Sequence, residues 1–251
     1  MADFTAIDRY LEQHLDASLA ELIRYAAQPS VAAQNVGMED CARLVAEMLR
    51  ARGFAVEILP SGGYPVVVAE REGARDRTLL IYNHYDVQPA EPLELWTSPP
   101  FTPTLRDGHL YGRGVSDDKG HLTARLLALD ALLDQAKGLP CRIKFVIEGE
   151  EEIGSVRLPG FVKQNRERLK GDACLWEFGY VDHRDVPLQY AGLVFCCARV
   201  GSGKAMAEPL RIRSSRRSNH APRRGRSAGR TYRAALRPTS GSAEISAVPV
   251  S

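Results

Sequence analysis

The sequence predicts an α/β fold. Three observations carry that expectation: apolar residues recur at helical spacing near the N-terminus, short β-type runs follow between Gly-rich turns, and helical and strand-like stretches then alternate to about residue 193. A layered domain of this kind carries its chemistry on loops at strand ends.

The elements follow in order. Ile7, Tyr10, Leu11, Leu15, Leu19, Leu22 and Ile23 recur at three and four, giving a helix over residues 7–25 that Pro29 ends. A second helix is expected over 39–52, with Ala42, Val45, Met48 and Leu49 inward and Gly53 as its left-handed stop. Strands are expected at 55–59, 66–70 and 78–83, separated by turn compositions at 61–63 and 73–76. Residues 120–135 read as a buried helix and 142–148 as a central strand, because its apolar run is nearly continuous. A helix over 158–169 and strands at 173–176 and 188–191 complete the pattern.

Composition narrows the class. With 44% apolar and 25% charged residues in 251, the chain is of ordinary globular type, which excludes collagen-like, coiled-coil and wholly disordered readings. No stretch approaches the roughly 18 apolar residues of a membrane span, and the N-terminus carries acids where a secretory signal carries bases. A cytoplasmic protein is expected. Cys41, Cys141, Cys174, Cys196 and Cys197 are odd in number and scattered, which suits a reducing compartment; the adjacent last pair is poorly spaced for a metal. Charge is uneven: residues 201–251 hold eleven bases against two acids, the other 200 hold 22 against 29. Within that tail, 212–237 has neither helical nor strand period and few apolar residues, so disorder is expected.

Acidic and imidazole groups fall at the ends of predicted strands. In YNHYD at 82–86, His84 and Asp86 point to one side if the strand persists, and a metal-binding His needs its other nitrogen held by an acceptor such as Asp86. A loop His beside a solvated Asp is the plain alternative. In YGRGVSDDKG at 111–120, Asp117 and Asp118 make an anionic corner suited to a divalent cation, or a helix N-cap. The Gly-Arg-Gly lacks the spacing of a phosphate loop. In EGEEEIGS at 148–155, acids follow a buried strand directly, and their mutual repulsion favours a cation among them over a solvated loop. Glu177, between Trp176 and Phe178, is costly there unless paired or metal-bound. Together His84, Asp117, Glu152 and Glu177 are ligands of the kind that bind a zinc pair through one bridging carboxylate. Two such ions hold and acidify a water and polarise a carbonyl, and Glu151 beside a ligand is the candidate general base. Amide hydrolysis is the implied reaction.

These motifs resemble those of the co-catalytic zinc amidohydrolases, the family of carboxypeptidase G, aminoacylase, acetylornithine deacetylase, succinyl-diaminopimelate desuccinylase and the carnosine-type dipeptidases. The carriers are HYDVQP at 84–89, Trp96 with PPF at 99–101, DGHLYGRG at 107–114 through DDKG at 117–120, and EGEEEIGS at 148–155. The wording looks most like the dipeptidase branch. The resemblance implies a three-layer αβα catalytic domain acting on small peptides or N-acyl amino acids with two zinc ions, manganese or cobalt being possible substitutes. By it, His84 is a zinc ligand oriented by Asp86, Asp117 bridges both metals and is joined to Asp118 by a cis peptide bond, Glu151 is the general base, Glu152 ligates one zinc, and Glu177 with His84 ligates the other. Its implication for His14, His109, His121, His183 and His220 is that none has a ligand role and that surface or loop positions suit them.

Family members insert a smaller lid domain, used for dimerisation and substrate binding, after the strand near residues 190–193, and supply a last zinc-binding His near the C-terminus. Residues 194–251 resemble neither, so the expected organisation is a partial catalytic domain over 1–193 and an Arg/Ser/Pro/Gly-rich tail, as a truncation or a shifted reading frame would give. A catalytically inactive remnant of the family is the first alternative. The second is nonspecific nucleic-acid binding by the basic tail, which its single aromatic, Tyr232, makes a poor fit.

Overall fold

A computed structural model of the chain describes residues 4–136 and 138–176, together with the backbone of 191–192, 235–239 and 242–246. Two helices come first, α1 (Thr5–Ala27) and α2 (Met38–Arg50). Gly53 sits at φ +74, the left-handed stop expected after the second helix. Strands β1 (Ala55–Leu59), β2 (Val66–Arg71) and β3 (Arg75–His84) follow, then the short pair β4 (Thr104–Arg106) and β5 (His109–Tyr111). Asp107 and Gly108 both have positive φ between β4 and β5, as a two-residue hairpin turn requires. Helix α3 (Lys119–Gln135), strand β6 (Cys141–Glu148), helix α4 (Leu158–Gln164), β7 (Ala173–Leu175) and β8 (Ala191–Gly192) complete the body.

Six strands form one mixed sheet in the order β1-β2-β6-β3-β7-β8. β6 lies inside it, flanked by β2 and β3, as its unbroken apolar run predicts. β3 runs parallel to both β6 and β7, so the carboxyl ends of all three strands reach one edge. Along β2 the side chains alternate between faces. Val67 and Ala69 join Ile81, Phe145 and Ile147 against Tyr25, Met48, Leu49, Leu122 and Leu126 of the three long helices. Val66 and Val68 join Leu80 and Val146 against Phe161 and Leu169 on the other face. Helices on both faces of the sheet make the expected α/β/α layering.

Buried polar groups tie the helical layer together. Arg52, just past α2, donates to Glu21 of α1 at 2.7 and 3.0 Å and to Asp130 of α3 at 2.8 to 3.0 Å. Lys119, wholly buried, donates from Nζ to the carbonyls of Gln28 (2.6 Å) and Tyr25 (3.2 Å), so the first turn of α3 docks on the negative end of α1.

One expectation needs amendment. α4 ends at Gln164, and 165–169 are turns, because Asn165 sits at the C-cap and its side-chain amide donates back to the Phe161 carbonyl. The strand expected at 188–191 is described only at Ala191–Gly192, where it pairs antiparallel with β7. Within residues 194–251 the described backbone is that of two short strands, β9 (Ala235–Thr239) and β10 (Ser242–Ser246), which pair antiparallel across two intervening residues. Cys196, Cys197 and the rest of that tail lie outside the described residues. Among the described residues no helix is long and apolar enough to cross a membrane.

Candidate metal centre

The carboxyl ends of β3 and β6 deliver the first groups. His84 and Glu148 are opposed in the parallel register, and Tyr85 continues the pairing by donating its N–H to the Glu148 carbonyl at 2.8 Å. Gly149 follows because Tyr85 packs there: a Cβ at 149 would stand 2.4 Å from the Tyr85 ring. The chain then turns through a single 3-10 turn, Glu151–Ile153, which presents the acidic run to the edge.

That run is divided between two tasks. Glu148 accepts from the Tyr82 hydroxyl (2.6 Å) and the Ser155 hydroxyl (2.7 Å), and Glu150 accepts from Arg157 Nη1 (2.7 Å) and the Tyr64 amide (3.3 Å). Both are buried, so these two carboxylates hold the turn in place. Glu151 and Glu152 face the site. Burial raises the carboxyls of both above the ordinary carboxylate value; His84 opposes this at Glu151, and a hydrogen bond from Gln88 opposes it at Glu152.

Asp86 joins the two strand ends. Its wholly buried carboxylate accepts the amide of Glu151 on Oδ1 (3.2 Å) and that of Glu152 on Oδ2 (3.0 Å), while His84 Nδ1 lies 3.2 Å from Oδ1. His84 Nδ1 also lies 3.0 Å from the Asp86 carbonyl. A carbonyl only accepts, so Nδ1 carries a proton, and in the neutral ring the lone pair is then on Nε2.

Nε2 faces Asp117 Oδ1 at 2.9 Å and Glu151 Oε2 at 4.0 Å. A neutral imidazole has one N–H, already donated through Nδ1, so a lone pair confronting a carboxylate oxygen calls for a proton or a metal cation between them. The donor set fits a divalent cation on that ground. When Nε2 is protonated as well, its hydrogen bond to Asp117 holds that carboxyl below its usual range. His84 is wholly buried, whereas 70% of the Asp117 side chain is exposed, so the pair opens toward solvent on the carboxylate side.

Asp117 precedes α3, and its peptide bond to Asp118 is cis. Asp118 occupies the N-cap position but makes no side-chain cap hydrogen bond, which corrects the N-cap alternative for its carboxylate. Instead it accepts from Asn83 Nδ2 (2.6 Å), the His84 amide (3.0 Å) and His121 Nδ1 (2.8 Å). Gly120 is required beside it, since a Cβ there would stand 2.2 Å from the Val115 carbonyl oxygen. Arg113 donates to the Pro89 carbonyl at 2.9 Å and lies over the Trp96 ring, its positive charge acting on Glu152 and Asp117.

The described residues therefore bring His84, Asp86, Asp117 and Glu151 together, with Glu152 one residue along the turn. Among them, no group of three or more His, Cys, Asp or Glu forms a ready-made metal cage. Glu177 lies outside the described residues, directly after Trp176. His121, expected at a surface or loop, is half-buried against Asp118; the signal that could have found it is the three-residue spacing from Asp118 across the first turn of a helix.

Residues 80–195 match the peptidase family M20/M25/M40. A succinyl-diaminopimelate desuccinylase of Burkholderia ambifaria is 38% identical over 168 residues, covering 64% of this chain and 43% of that protein. A Beta-Ala-His dipeptidase of Homo sapiens is 34% identical over 178 residues, covering 64% of this chain and 35% of that one. An M20 family metallo-carboxypeptidase from Sulfolobus solfataricus superposes with a TM-score of 0.64 at 39% identity, over 67% of this chain and 38% of the other. Human carnosine dipeptidase 1 does so at 0.63 and 31%, over 66% and 39%. The chain thus spans less than half the length of the relatives it matches.

Proposed function

We propose that this chain, whose residues 80–195 match peptidase family M20/M25/M40, carries the metal-holding part of a hydrolase for peptide or N-acyl amide bonds of small, dipeptide-like substrates. One observation carries the reading: His84 Nε2, its proton committed on the opposite nitrogen, faces Asp117 at 2.9 Å with Glu151 at 4.0 Å. The desuccinylase and dipeptidase relatives support the substrate class.

His84, Asp117, Glu152 and Glu177 would hold two divalent ions, zinc in the first place and manganese or cobalt as substitutes. Bound there, such ions supply Lewis acidity that polarises an amide carbonyl and acidifies a water. Asp86 fixes the His84 ring and, through the amides of 151 and 152, the distance between imidazole and turn. Glu151 takes the water's proton and returns it to the leaving amine, and its carboxyl, lifted by burial, is better matched to that exchange than an ordinary glutamate. Arg113 offsets the negative charge on Asp117 and Glu152 while they wait for cations. The free thiols of Cys41, Cys141 and Cys174 accord with a reducing, cytoplasmic setting.

The test is hydrolysis of a panel of dipeptides and N-acyl amino acids by the zinc-loaded chain and its Glu151→Gln variant. Expected is amine release lost by at least about 100-fold in Glu151→Gln, with metal content unchanged. Equal turnover by the two would overturn the role of Glu151, and a chain that takes up no zinc would overturn the reading as a whole.

A further inference from the structure

Beyond the metal ligands themselves, one buried acid is spent entirely on geometry. We propose that Asp118 is the positioning residue of the centre: its carboxylate locks the end of the strand carrying His84 to the loop carrying Asp117, and so sets the separation of those two donors. The proposal rests on the metal reading of His84 and Asp117.

Asp118 is wholly buried, and an unsatisfied carboxylate there would be strongly destabilising. It is satisfied by three donors, two from the distant end of β3 and one from the first turn of α3. Oδ2 accepts from Asn83 Nδ2 at 2.6 Å and from the His84 amide at 3.0 Å, and Oδ1 accepts from His121 Nδ1 at 2.8 Å. The free backbone N–H groups at the start of α3 get nothing from this side chain, because no cap hydrogen bond is made. The carboxylate forgoes the usual helix-capping bond for contacts to β3.

These contacts close a ring. The backbone of His84 is held by Asp118, the imidazole of His84 faces Asp117, and Asp117 is covalently joined to Asp118. Neither donor can shift without breaking one of these links. Arg125 secures the ring from behind: Nη1 donates to the Tyr82 carbonyl (2.6 Å) and to Asn83 Oδ1 (2.7 Å). Arginine only donates, so the Asn83 oxygen must face it and the Asn83 amide nitrogen must face Asp118. The same guanidinium donates from Nη2 to the Trp176 carbonyl at 2.6 Å, bringing the end of β7 into the same framework. His121, by contrast, is partly open to solvent and braces Asp118 from the helix side.

The experiment compares Co2+ affinity, by competition with a chromogenic chelator, and the Co2+ absorption spectrum in the full chain, in Asp118→Asn and in His121→Ala. Asparagine has one acceptor oxygen where three donors converge, so Asp118→Asn is expected to weaken Co2+ binding about 10- to 100-fold and to move the Co2+ bands, because the donors no longer meet the ion at the same separation. His121→Ala, on a partly exposed side chain, is expected to fold and to weaken binding about threefold or more. Affinity within about twofold of the unaltered chain and an unmoved spectrum in folded Asp118→Asn would overturn the proposal. If Asp118→Asn does not fold, the same result in His121→Ala overturns it. Failure of the unaltered chain to bind Co2+ would overturn the metal reading beneath it, a different and separately visible outcome.

Discussion

Replacing Asp86 by Asn changes one atom in a side chain that accepts two backbone hydrogen bonds and lies beside the His84 ring. Oδ1 faces the Glu151 amide at 3.2 Å and His84 Nδ1 at 3.2 Å, and Oδ2 faces the Glu152 amide at 3.0 Å. Both amides donate, while the His84 Nδ1 proton goes to the Asp86 carbonyl. In Asp86→Asn one of the two oxygens becomes an NH2, so in either orientation a donor is set against a donor. With the NH2 toward Glu152, that amide loses its acceptor; with the NH2 toward Glu151, that amide loses its acceptor and His84 loses the negative charge beside it. A hydrogen bond to a charged group is worth about 1.5–3 kcal/mol, which converts to roughly 10- to 150-fold in an equilibrium constant. The loss falls on the separation of His84 from the Glu151–Glu152 turn, so zinc affinity should drop by about that factor. Isothermal titration or chelator competition with Zn2+ measures it, with urea denaturation of the metal-free protein as the control for global stability. Zinc binding in Asp86→Asn within about twofold of the unaltered chain would refute the reasoning, since it would mean the bridge to the turn sets no distance.

Two further outcomes bear on the scaffold. Arg52→Met strands Glu21 and Asp130, whose side chains are 21% and 25% exposed, beside a guanidinium that was 13% exposed; solvent access discounts the fully buried cost to about 2 kcal/mol, or roughly 4–8 °C in a thermal melt. Gly120→Ala sets a Cβ 2.2 Å from a backbone carbonyl and should destabilise by about 1–3 kcal/mol, whereas Gly160→Ala in α4 meets nothing within 4 Å and should be neutral or stabilising by up to about 1 kcal/mol in the same melt.

Much of the site was legible because its chemistry sits at strand ends. The apolar runs that predict β3 and β6 also fix where the chain leaves the sheet, so His84 and the acidic turn fall at one edge without further information. What the sequence left without a role was the other half of the acidic run, Glu148 and Glu150. Glu148, Glu150, Glu151 and Glu152 are chemically alike, and only the partners brought by tertiary contact, Tyr82, Ser155, Tyr64 and Arg157, turn two of them into braces. Asp118 and His121 were obscured for the same reason: Asp-Asp before a helix is a good N-cap pattern, and the competing partners Asn83 and His84 lie more than thirty residues away. The end of α4 was missed because the apolar spacing carries through to Leu169, while Asn165 prefers to bond its own backbone.

The central claim is that a divalent ion binds at the end of β3, against His84. Anomalous diffraction at the zinc edge from crystals of the zinc-loaded chain tests it most directly. A zinc peak is expected about 2.0–2.1 Å from His84 Nε2 and within ligand distance of an Asp117 oxygen. Zinc bound only elsewhere, with His84 Nε2 still paired to Asp117 alone, would contradict it.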